Sequence, residues 1–129
     1  MEYLITPIEE TDWRINELDL INHLSEKWSN VQIKEITNLD DFYCFEGLIN
    51  LSGNDKTLEF ALHRDRQGVS LDGYLENCAL FAVWLRSLVP QDQKLAFYDQ
   101  GYNAHIELNQ NTTELEIINS FISTVLPLV

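Results

Sequence analysis

Six side chains capable of metal ligation or proton transfer recur on alternating positions of segments that read as strands. Glu46 lies within Phe42 to Asn50, Glu59 and His63 close the segment Leu58 to His63, Asp72 follows Val69 and Leu71, and His105 and Glu107 alternate with Ala104, Ile106 and Leu108. Imidazoles with carboxylates can bind a transition metal or act as general acid and base. Successive strand side chains point to opposite faces, so Glu46, Glu59, His63, Asp72, His105 and Glu107 are expected on one polar sheet face. Two readings stay open. Either the face is a site, serving a small enzyme or a ligand-binding domain, or it is the solvated side of a half-covered sheet. A shared site requires the two histidines to lie within about 10 Å of each other.

Other chemistry is thinly represented. The chain contains no GxGxxG, no P-loop lysine motif, no GxSxG and no HExxH. No metal-ligand spacing occurs within one element, and neither metal nor cofactor is expected. Cys44 and Cys78 have no histidine at a useful spacing. They are expected as free thiols in a reducing, cytoplasmic setting rather than as a disulfide or a nucleophile. His23 falls beside the Leu20/Leu24 stripe and is expected at a boundary or in solvent.

The elements that must carry these residues follow from periodicity and from caps. Tyr3 to Ile8 reads as a short strand. Asn16 is placed to cap a helix over about residues 17–28, with Glu17 and Asp19 in its first turn. Val31 to Ile36 is a weak strand. In the next strand Tyr43, Phe45, Gly47, Ile49 and Leu51 share one face, and Phe42, Cys44, Glu46, Leu48 and Asn50 the other. Ser52-Gly53-Asn54-Asp55 supplies a turn, Leu58, Phe60 and Leu62 point inward, and Asp65 to Gly68 turns the chain into Val69 and Leu71. Asp72 is expected to cap a helix over about residues 74–88 that Pro90 stops. Leu95 to Tyr98 and a strand with apolar face Tyr102, Ala104, Ile106 and Leu108 flank a tight turn, Asp99-Gln100-Gly101, with Gly101 expected in the left-handed conformation. Thr113-x-x-Glu116 is a capping box for a last helix over about residues 113–126, with Asn111-x-x-Glu114 as an alternative. The order β-α-β-β-β-β-α-β-β-α predicts one α+β domain, 1–129, built on a mainly antiparallel sheet with its helices packed largely on one face.

The middle helix is apolar nearly all round. Leu75, Cys78, Ala82 and Leu85 form one stripe, and Tyr74, Phe81, Trp84 and Leu88 a second. A sheet buries one stripe. The second is therefore a candidate homodimer or partner interface, unless the flanking helices cover it.

Charge narrows the partners. The chain has 129 residues, with 21 acidic against 8 basic ones and a net charge of −13. Acid predominates in both halves, so this is no acidic tail. Such a field repels nucleic acid and anionic membranes and speeds encounter with a basic protein. No apolar run approaches the roughly 20 residues of a membrane span.

The stretches Val69-Ser70-Leu71-Asp72-Gly73-Tyr74-Leu75, Cys78 to Pro90, Phe97-Tyr98-Asp99-Gln100-Gly101-Tyr102 and Thr112-Thr113-Glu114 together resemble small uncharacterised bacterial proteins, some of them of the toxin-immunity type. The resemblance covers about residues 68–118 and rests mostly on turns, caps and core. It implies a non-enzymatic interaction protein of immunity-protein or antitoxin type, and it carries no catalytic residues.

Overall fold

The computed structural model describes residues 2–51 and 57–125. Among these the elements run β1 (Glu2–Pro7), α1 (Glu17–Lys27), β2 (Gln32–Glu35), β3 (Tyr43–Asn50), β4 (Thr57–His63), β5 (Val69–Asp72), α2 (Leu75–Ser87), β6 (Leu95–Asp99), β7 (His105–Leu108) and α3 (Glu114–Val125). The order and class are those the periodicity predicts. The proposed turn at Ser52 to Asp55 lies outside the described residues.

The strands form one antiparallel sheet in the order β2-β3-β4-β5-β1-β6-β7. β2 to β5 is a meander and β6–β7 a hairpin. The first strand joins them, with Ile5 opposite Val69 on one side and Phe97 on the other.

Caps fix the first and last helices. Asn16 Oδ1 accepts the amide of Asp19 at 3.0 Å. Thr113 and Glu116 form the reciprocal box: Glu116 N–H donates to Thr113 Oγ1 at 3.1 Å, and Thr113 N–H donates to Glu116 Oε1 at 3.2 Å. The middle helix differs from expectation. Its N-cap is Tyr74, without a side-chain cap. Asp72 instead ends β5, paired in register with Glu2 and Glu59. At the other end the buried guanidinium of Arg86 donates to the carbonyls of Leu108, Val89 and Gln91 at 3.1–3.2 Å. It ties the carbonyl end of α2, where a cation is favoured, to the end of β7.

All three helices pack on the face that carries Tyr3, Ile5, Phe60, Leu62, Leu71 and Phe97. Phe81 stacks on Phe60 with ring centroids 5.5 Å apart, and Phe121 meets Tyr3 and Phe97 edge-on. The second stripe of α2 is largely spent inside the chain. Phe81 is fully buried, and Trp84 is half-buried edge-on against Trp28 of the α1 end, at 4.8 Å. Of the proposed interface, Tyr74 and Leu88 alone are exposed. Trp28, the C-cap residue of the 11-residue first helix, covers the face the sheet cannot reach.

Candidate functional site on the open sheet face

Among the described residues no helix packs on the opposite face of the sheet. Strand register decides which side chains share it, because residues directly opposite on antiparallel strands point the same way. One row is Glu59, Asp72 and Glu2, on three neighbouring strands. The row beside it runs Lys34, Glu46, Ala61, Ser70, Leu4, Tyr98 and His105 across the whole sheet. The third row contains Tyr43 opposite His63, and Ala96 opposite Glu107. All six candidate residues thus stand on this face, but they are not gathered into one centre.

A bulge explains the difference at β3. The register shifts between Tyr43 and Phe45, so Tyr43 joins the open face, while Cys44 and Phe45 are both buried. The alternation read from the sequence placed Tyr43 with Phe45 and Cys44 with Glu46, one residue out of step. A second difference lies in the β6–β7 turn. The left-handed residue is Tyr102, with φ 54°, rather than Gly101. Tyr102 is exposed and its ring stacks on His105, 5.3 Å away, so it belongs to the open face and not to the apolar face of β7.

At the centre is a shallow depression of about 530 Å³. Small residues, Ala61 and Ser70, sit low in it, and Glu2, Glu46, Glu59 and Asp72 line it, with Lys34 the one cation among the described residues there. The Glu59–Asp72–Glu2 row concentrates carboxylates in a concave surface.

Beside the depression lies a buried polar cluster that residue spacing does not reveal. His63 Nε2 and Ser70 Oγ are 2.9 Å apart, and the Tyr43 hydroxyl is 3.5 Å from the same oxygen. The imidazole is flanked by Phe42 and Tyr43, with ring centroids at 4.7 and 5.7 Å. Gly68 makes room for it, since a Cβ there would fall 2.5 Å from Nδ1. Burial pushes the His63 pKa down, opposed by the charge of Asp65. A serine on a histidine is the arrangement of a nucleophile and its base. Here Ser70 lies mid-strand between β4 and β1, where the backbone amides lie in the sheet plane.

His105 stands on β7, four strand intervals from His63 on β4. At about 4.8 Å per interval the two are roughly 19 Å apart, well beyond a shared site. No group of three or more His, Cys, Asp or Glu among the described residues is placed to hold a metal ion. Both cysteines are free and buried. Burial pushes both thiols up, Cys78 to about 12, which removes the thiolate a nucleophile needs. Among the described residues no helix is long and apolar enough to cross a membrane.

At the β6–β7 end, Tyr98, Tyr102 and His105 form an aromatic group. Tyr98 and Tyr102 rings are 5.1 Å apart, and Tyr98 OH lies 3.1 Å from Thr6 Oγ1. Asp99 holds the turn, accepting the amides of Asn103 and Ala104 at 2.8 and 3.0 Å and the Asn103 side chain at 2.9 Å. Burial acts to raise its carboxyl pKa, but these hydrogen bonds outweigh it and hold the group below its ordinary value. Set against known protein families, curated proteins and solved structures, the chain shows no match.

Proposed function

We propose that the chain is a non-enzymatic interaction module whose open sheet face receives a basic protein, as an immunity protein or antitoxin receives its toxin. The observation that carries this reading is the row Glu59, Asp72 and Glu2 on three adjacent strands, reinforced by Glu46 across the depression. A cationic partner finds complementary potential there, and it associates faster in the field of a chain of net charge −13. The resemblance over residues 68–118 points to the same class. Nucleic acid and anionic membranes are repelled by the same field, and the site of action is the cytoplasm.

A second reading, a small enzyme, has one observation in its favour, the His63–Ser70 hydrogen bond. It leaves the carboxylate row unexplained.

The test is affinity capture from the native cell with two baits, the wild-type chain and Glu46→Gln/Glu59→Gln. The expected result is a basic protein retained by the first and lost by the second, with unchanged circular dichroism. A captured partner held equally by both baits would contradict the proposed surface.

A further inference from the structure

The aromatic group at the β6–β7 end is built to present a ring to solvent. Tyr102 is 59% exposed, although its backbone occupies the left-handed region that a non-glycine residue enters at a cost of roughly 1–2 kcal/mol. The Asp99 carboxylate, through its three hydrogen bonds to Asn103 and Ala104, keeps the turn in that conformation. The ring is held from one side by His105 and from another by Tyr98.

Carboxylates flank this group. Tyr98 is directly opposite Leu4 and His105, so Glu2 on β1 and Glu107 on β7 are its diagonal neighbours on the same face. Diagonal neighbours lie about 7–8 Å apart, within reach of one long side chain. Glu2 also belongs to the carboxylate row, so the aromatic group continues the acidic depression rather than forming a separate patch.

An aromatic face beside carboxylates selects among ligands. A nucleic-acid base needs cations near the ring for its phosphates, and Glu2 and Glu107 supply the opposite charge. A guanidinium fits both parts: it stacks on an aromatic face, and its planar donors bind carboxylate oxygens in a fork. An ammonium satisfies the charge but stacks less well and makes no fork.

We propose that Tyr98, Tyr102 and His105 seat an arginine side chain of the basic partner, with the guanidinium against the exposed Tyr102 ring and paired to Glu2, the carboxylate at the turn end of the sheet. The proposal rests on the docking role of the open face and adds the identity of the partner residue that anchors at this end.

The experiment titrates the full chain with acetylated, amidated hexa-arginine and hexa-lysine at low salt, following binding by calorimetry and the tyrosine ring resonances by NMR. Hexa-arginine is expected to bind about threefold more tightly than hexa-lysine, the size of an exposed cation–π contact, and to shift the Tyr98 and Tyr102 ring signals. Tyr102→Ala should abolish the arginine preference, weakening hexa-arginine more than hexa-lysine, and Tyr102→Phe should retain the preference. Backbone spectra of both variants report folding. Equal affinities for the two peptides, or a preference that survives Tyr102→Ala, overturn the arginine seat and leave the acidic docking face standing. Binding of neither peptide overturns both.

Discussion

His63 and Ser70 sit on neighbouring strands of the open face, with Nε2 and Oγ 2.9 Å apart and both side chains almost fully buried. Burial favours the neutral imidazole, so its pKa in the folded chain is below the unfolded value of about 6.5. The contribution of this group is therefore complete above pH 6.5 and is lost as pH falls through that value towards the folded one. Urea midpoints measured from pH 8 to pH 5 should fall more steeply for the wild type than for His63→Gln, which keeps a donor and acceptor but does not titrate. Parallel pH profiles for the two would show that the histidine carries no such linkage.

Arg86 is a buried cation satisfied by carbonyls at the end of α2 and beyond. Removing it leaves the buried carbonyls of Leu108 and Val89 without this donor. Arg86→Ala should destabilise the chain by about 3 kcal/mol, with Arg86→Lys recovering less than half because an ammonium does not reproduce the fork. Denaturant unfolding measures both. A loss below about 1 kcal/mol for the alanine variant would mean that water replaces the guanidinium freely.

The carboxylate row makes an opposite stability prediction. Glu59→Gln removes one of two like charges that face each other across β4 and β5. It should raise stability at low salt by roughly a few tenths of a kcal/mol, and the gain should vanish in concentrated salt. A loss of stability at low salt would show that the row is not repulsive in the free protein.

Thiol chemistry gives a further check. Cys44 and Cys78 are buried and their pKa values are raised, so an aromatic disulfide reagent should find two thiols in denaturant and react slowly with the folded chain. Rapid labelling of the native protein would contradict the burial of Cys44 on β3 and Cys78 on α2.

Much of the fold was legible because period and caps are local signals. Asn16, and Thr113 with Glu116, cap the helices they were expected to cap, and the element order follows from alternation and turns. The central placement of β1 was not legible, since the pairing of Ile5 with Val69 and Phe97 joins residues far apart in the chain. That placement is what brings Glu2 into line with Asp72 and Glu59. The open face was therefore readable residue by residue in parity, but its carboxylate row was not. Tyr43 and Tyr102 were assigned to the wrong faces because a bulge and a left-handed tyrosine each break the alternation. His63 and Ser70 are seven residues apart on strands joined by a turn, a proximity visible once the turn around Arg66 sets the register.

The central claim is that the open face, rather than the overall charge, binds the basic partner. Its most direct measurement compares two variants of equal net charge, Glu46→Gln/Glu59→Gln on the open face and Glu26→Gln/Glu114→Gln on the helices, by the affinity of each for the captured partner. The open-face pair should weaken binding at least tenfold, about 1.4 kcal/mol, and the helix pair by no more than about twofold. Equal losses in the two variants, or a larger loss in the helix pair, would contradict the account.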